Sequence, residues 1–141
     1  MTDAPIAPEG VLETALYASD PEACAQFYAQ VVGLQEHQRV EGRHVFLRCG
    51  KGMLMLFKPD ATEAGGSARL PVPPHGARGA GHVCFRVQDG SIAEWAKRLQ
   101  DLEIEIEADF EWPNGVRSIY VRDPAQNSVE FAEAALWKDA T

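Results

Sequence analysis

The sequence predicts an α+β protein built from two paired βαβββ modules, and three observations predict it. One strand-like stretch occurs twice, as ETALYASD at 13–20 and as HVCFRVQD at 82–89. Each copy ends in Asp and is followed by apolar residues at helical spacing. Each helix is then followed by alternating, strand-like segments. A single copy of such a unit cannot bury its own sheet, so the two copies are expected to pair.

Taken in order, residues 1–10 read as a tail, and 11–18 as the first strand, with Leu12, Thr14 and Leu16 beneath a helix and Glu13, Ala15 and Tyr17 opposite. Asp20-Pro21-Glu22 supplies an N-cap and a proline at N1 for a helix over 21–32. Cys24, Phe27, Tyr28, Val31 and Val32 form its apolar stripe, and Gly33 stops it. A strand near 35–41 precedes RHVFLRC and GMLMLFK, which join through Gly50-Lys51-Gly52. That closes a first module over 11–58. Residues 59–79, rich in Gly, Pro and Ala, read as a linker loop.

The second module spans 80–135. Its strand, near 81–87, places Val83, Phe85 and Val87 under the helix and His82, Cys84 and Arg86 on the other face. The helix over 90–102 carries Ile92, Trp95, Leu99 and Leu102, with Asp89 and Ser91 as candidate caps. A strand over 104–111 turns through Pro113-Asn114-Gly115 into one over 117–122, and SVEFAEA forms the last, over 128–134. Residues 136–141 read as a C-terminal tail. On the last strand Val129 and Phe131 go under the helix, leaving Ser128, Glu130 and Ala132 opposite. A slip of one residue would invert every face, so the apolar positions set the register. Glu13, His82 and Glu130 are thereby expected on one concave face.

Composition narrows the function classes. At 141 residues the chain is about one domain, with 45% hydrophobic and 24% charged residues. A net charge of -8 argues against nucleic acid, whose phosphates demand a basic face. No apolar run approaches the ~18 residues of a membrane span. The opening MTDAPIAPEG lacks the basic and apolar regions of a signal peptide. Three cysteines without a CxxC make a poor disulfide framework, so a reduced, cytoplasmic protein is expected.

LETALYASDPEACAQFYAQVVGL, GHVCFRVQD and, most specifically, RSIYVRDPAQNSVEF carry a resemblance to the vicinal oxygen chelate superfamily over residues 11–135. That superfamily includes glyoxalase I, the extradiol dioxygenases, and the fosfomycin and bleomycin resistance proteins. The resemblance implies curled mixed sheets around a cavity that holds a divalent ion (Mn, Ni, Zn or Fe). It implies Glu13, His82 and Glu130 as ligands, because the first strand of each module and the last strand of the second supply them. The fourth family position falls on Leu54 or Met55, and neither binds a hard cation. Gln126 stands where the family usually has glycine. A homodimer and a small-molecule substrate are implied as well.

A histidine with two carboxylates leaves coordination positions open for substrate oxygens. A glutamate facing into a sheet is costly unless paired or coordinated, which favours the ligand reading of Glu130; Glu13, near a strand start, also reads as a solvated end. Tyr17, Arg48, Arg86, Trp112, Ser118, Tyr120 and Arg122 lie on the same inner faces and are candidates for substrate contact, the arginines suiting an oxygen-rich ligand. Strand-end arginines also commonly serve as surface ion-pair partners. His44 reads as a surface strand histidine, His75 as a loop residue able to form a lid, and Cys84 as an inert thiol. The expected activity is that of a metal-dependent lyase, transferase or dioxygenase. The alternative is a metal-free binding protein using the same cavity.

Overall fold

The computed structural model describes residues 4–138. Strands β1 (Glu13–Tyr17), β2 (Gln35–Val40), β3 (His44–Cys49) and β4 (Gly52–Phe57) form one sheet in the order β1-β4-β3-β2. Strands β5 (His82–Val87), β6 (Ala108–Glu111), β7 (Arg117–Arg122) and β8 (Ser128–Glu133) form a second in the matching order β5-β8-β7-β6. The outer pairs β1/β4 and β5/β8 are parallel and the rest antiparallel. The repeat is therefore a repeat of topology, and the architecture is the paired βαβββ arrangement.

Helix α1 (Pro21–Phe27) starts where Asp20 accepts a hydrogen bond from the Ala23 amide at 3.1 Å. Its last turn, Tyr28–Val32, widens into a π-type turn. Gly33 ends it at φ 90°, a left-handed conformation that costs a glycine little. Leu16, Val45, Leu47, Leu54 and Leu56 pack beneath it. In the second module Phe85, Ile119, Val121, Val129 and Phe131 pack beneath α3 (Ile92–Asp101), with Trp95 stacked on Phe131 at 4.8 Å. These residues belong to one continuous core.

Neither expected residue caps α3. Glu133, at the end of β8, accepts from the amides of Gly90 (2.9 Å) and Ile92 (3.1 Å), and Ser91 instead donates to the Gln88 carbonyl at 2.5 Å. A carboxylate on those unpaired amides meets the positive end of the helix dipole. The strand expected over 104–111 is shorter, Ile104 and Ile106 packing against the core ahead of it. The linker is more ordered than a Gly/Pro-rich loop suggests. It contains helix α2 (Pro59–Glu63), and Arg78 pairs with Asp60 and Glu63.

The two modules meet at a polar seam. Tyr28 of the first donates to Asp123 of the second at 2.7 Å, with both side chains buried. Asn127 donates to the Tyr17 carbonyl at 3.3 Å and to Asp123 at 2.9 Å. Arg98 donates to the carbonyls of Val31 and Gln30 at 2.9 and 2.7 Å. Both sheets keep their helices on one side, so their other faces remain open: Glu13, Ala15, Cys84 and Arg86 are all exposed.

Candidate functional site

Strands β5 and β8 run in parallel register, with His82 opposite Ser128 and Cys84 opposite Glu130. Alternation sends Val83, Val129 and Phe131 into the core, so His82, Cys84 and Glu130 share the open face. Nε2 of His82 lies 3.2 Å from Oε1 of Glu130. The imidazole is half-exposed, while the Glu130 side chain is only 6% exposed.

Nδ1 of His82 sits 3.1 Å from the Ser128 carbonyl oxygen. A carbonyl oxygen only accepts, so Nδ1 carries the hydrogen. Nε2 then faces the carboxylate, an arrangement that a cation between the two would satisfy. A proton supplies one, making an imidazolium–carboxylate ion pair; a divalent metal supplies the other.

The second oxygen of Glu130 accepts from the Ser118 hydroxyl at 2.7 Å, and Ser118 accepts from Nε1 of Trp112 at 2.8 Å. Ser118 is fully buried. It positions Glu130 from behind and is no surface for substrate, contrary to the expectation from its face. Tyr120 stands opposite Glu130 across β7/β8. Burial and then the Glu130 carboxylate push its phenol up to about 12. The same two causes push the Cys84 thiol up to about 12, so this cysteine is the inert thiol expected.

A hollow of about 480 Å³ opens over this pair, walled by Trp112, Pro113, Asn114, Tyr120, Leu136 and Trp137. Leu136 and Trp137 come from a short 3-10 turn, Ala134–Trp137, where the sequence reads as strand end and tail. The only signal for that turn was the tryptophan itself. Asn114 ties it down by donating to the Leu136 carbonyl at 3.3 Å.

Other candidates lie elsewhere. Glu13 stands on β1 opposite Met53, in the first sheet. Among the described residues no three His, Cys, Asp or Glu side chains converge on a common point. The expected convergence of Glu13 with His82 and Glu130 is therefore not made within one chain. Tyr17 hydrogen-bonds Nδ1 of His75 at 2.6 Å, so the linker histidine folds onto the first sheet. Arg48 contacts Nδ1 of His37 at 3.2 Å. Arg122 is held by Glu107 at 2.6 Å and by the Gln126 carbonyl at 3.0 Å, an ion pair on the surface. Arg86 lies with Leu12, Thr14 and Phe85 in a separate hollow between β1 and β5.

His44, read as a surface residue, is buried at 6% exposure. It stacks on Phe46 at 4.0 Å, accepts from Arg43 at 2.9 Å and donates to Gln38 at 2.9 Å. Burial first, and then the Arg43 charge, lower its basicity.

The donor chemistry fits a divalent metal in part. An imidazole nitrogen with a fixed tautomer and a carboxylate oxygen, 3.2 Å apart, are suitable neighbours on one coordination sphere. Among the described residues no third protein donor joins them, so the remaining positions would fall to water, substrate or a group of another chain.

Two modules with parallel outer strands, open faces and a His–Glu pair on the second sheet define a small-ligand protein fold of the paired βαβββ class. The chain belongs to the Glyoxalase/Bleomycin resistance protein/Dioxygenase superfamily, whose model matches residues 10–131. It is similar to the crystal structure of a lactoylglutathione lyase from Agrobacterium tumefaciens, at 45% identity and a TM-score of 0.88, covering 94% of this chain and 98% of that one. A glyoxalase/bleomycin resistance protein/dioxygenase from Nocardioides shares the fold at 19% identity and a TM-score of 0.71, covering 97% and 89%. The fosfomycin resistance protein FosX from Mesorhizobium loti does so at 19% identity and a TM-score of 0.62, covering 92% and 96%. No curated protein sequence matches the chain.

Proposed function

We propose that the protein is a glyoxalase-type, metal-dependent enzyme acting on a small substrate with two adjacent oxygens. The observation that carries this reading is His82 Nε2 aimed, with its tautomer set by Ser128, at the Glu130 carboxylate 3.2 Å away. His82 and Glu130 would hold a divalent ion, and Glu13 of a second copy would add a third donor in a homodimer. Two points support the dimer: Glu13 is exposed on an open sheet face, and His82 and Glu130 wait on another. The 45% identity to a protein named as a lactoylglutathione lyase supports the reaction class.

When bound, the ion supplies a Lewis acid that stabilises the negative charge developing on a substrate oxygen. The chain's own residues do the rest. Ser118 keeps Glu130 facing outward and Ser128 keeps the His82 lone pair outward. Tyr120, whose phenol burial and the Glu130 carboxylate push up to about 12, offers a hydrogen-bond donor beside Glu130. Trp112 and Trp137 give the hollow apolar walls.

The test is elemental analysis of the purified protein, followed by stripping and reloading with Mn²⁺, Ni²⁺, Zn²⁺ or Fe²⁺. The stripped and reloaded forms are assayed on the hemithioacetals of methylglyoxal with glutathione and with a neutral thiol. Turnover restored by one metal in the wild type and lost in Glu130→Gln is the expected result. A protein that takes up no ion and still binds a ligand would favour sequestration in the aromatic hollow.

A further inference from the structure

The walls of the hollow beside His82 and Glu130 are unusual in what they lack. Among the described residues no lysine or arginine lines it, and Glu130 is the one carboxylate among them. The arginines on the two open faces are placed or engaged elsewhere: Arg48 with His37, Arg122 with Glu107, and Arg86 at the β1/β5 hollow. The protein as a whole carries a net charge of -8. An anionic tail reaching beyond the ion would find no side-chain cation of this chain's hollow to pair with.

What the hollow offers instead is aromatic walls, Trp112, Tyr120 and Trp137, with Phe110 outside the lining and packed on the first two. Tyr120 lies nearly parallel to Phe110, with centroids 5.9 Å apart and an interplanar angle of 5°. Phe110 meets Trp112 edge-on at 4.8 Å. The imidazole of His82 lies 6.1 Å from Tyr120 at an interplanar angle of 24°. The set is rigid, because Trp112 is fastened to Ser118 and the Trp137 segment to Asn114. Spacings of 4.5–7 Å between ring centroids are those at which aromatic pairs attract.

Resting on the metal reading above, we propose that the part of the substrate beyond the two chelating oxygens is an uncharged aromatic or flat apolar group, seated against Trp112 and Tyr120. This departs from a charged, peptide-like thiol conjugate. The hollow, at about 480 Å³, has room for a ring together with its chelating group.

Three hydroxamates of equal chelating chemistry test it, titrated by calorimetry into the metal-loaded protein: acetohydroxamate, benzohydroxamate, and succinate monohydroxamate with its free carboxylate. Benzohydroxamate is expected to bind about tenfold or more tighter than acetohydroxamate, since it alone places a ring against the apolar wall. The succinate compound is expected to bind more weakly than either. In Trp112→Ala the phenyl preference should fall towards unity, and in Trp112→Phe it should largely persist. A ratio between two ligands does not depend on the fraction of protein that is folded, so a destabilised variant still reports. Equal binding of the phenyl and methyl compounds would overturn the aromatic wall. Tighter binding of the carboxylate compound would overturn the preference for uncharged groups. If none of the three binds, the metal reading itself falls, and this proposal with it.

Discussion

Ser118 gives its hydroxyl proton to Glu130 at 2.7 Å while taking one from Trp112 at 2.8 Å. One buried hydroxyl thus links a wall of the hollow to the carboxylate in its floor. Removing it leaves a carboxylate oxygen and an indole N–H without partners. Ser118→Ala is expected to lower stability by about 1–3 kcal/mol, read from urea unfolding. It should also weaken divalent-ion affinity about 10–100-fold, read by competition with a chelating dye. Unchanged metal affinity would show that Glu130 needs no support from Ser118.

The histidine itself admits a sharper contrast. His82→Ala should remove the rise in melting temperature produced by a saturating divalent ion. At a hundredfold excess over the dissociation constant that rise reflects ~2.7 kcal/mol in the wild type. His75→Ala, which alters contacts with Tyr17 and Phe57 away from the hollow, should retain it. Equal shifts in all three proteins would place the ion elsewhere.

His44 sets a pH dependence separate from the site. Its folded basicity is lowered, by burial and then by Arg43, so the unfolded chain binds the proton more readily. The stability due to the neutral, buried ring is therefore fully present above the unfolded value of about 6.5, and is lost as pH falls through the lowered folded value. Urea midpoints should drop on the acid side of neutrality, and His44→Gln should flatten that part of the profile. A variant with an unchanged acid slope would assign the loss to other groups.

Gln126 adopts φ 70°, a left-handed conformation disfavoured for any residue with a side chain. Its carbonyl still receives Arg122, and a glycine would keep that bond. Gln126→Gly is expected to stabilise the protein by up to ~1 kcal/mol, less whatever backbone freedom the glycine adds to the unfolded chain. A lower midpoint in chemical denaturation would mean that the glutamine side chain contributes more than its strain costs.

At the seam, Tyr28→Phe would leave Asp123 one partner short at 1% exposure. A loss of about 1–3 kcal/mol is expected. Unfolding should remain a single transition by both tryptophan fluorescence and circular dichroism, because the core is shared between the modules. Two separated transitions would show that the modules hold together through this bond alone.

Much of this architecture was legible because alternation has a period of two. The apolar identities of Val83, Phe85, Val129 and Phe131 assign His82 and Glu130 to the opposite face with no other information. Parallel register then brings two residues 48 positions apart into contact, and the repeat made that register foreseeable. Alternation tells only which side of a sheet a residue occupies, not which sheet lies across from it. Glu13 was therefore assigned a correct face and a meeting that one chain does not make. His44 departs from a surface reading because Gln38 from β2 and Phe57 from β4 pack on it, along with Phe46 of its own strand, and alternation within β3 does not show those neighbours. Glu133 and Trp137 escaped notice because a helix cap from a distant strand and a wall built by a chain end have no periodicity to betray them.

Glu133 lies three residues beyond Glu130 on the strand it closes. By capping α3 it anchors the far end of β8, while the Ser128 amide, bonded to the Gly81 carbonyl at 2.9 Å, anchors the near end. The donor carboxylate thus rides on a strand moored at both ends by groups that never touch a ligand. The hollow's walls are attached differently, to a hairpin turn and the chain's closing residues. Scaffold and specificity are consequently separable by inheritance. Descendants of such a chain can rewrite Pro113, Asn114 and the segment around Trp137 while Glu130 keeps its place; Trp112, tied to Glu130 through Ser118, is the wall residue that cannot change so freely.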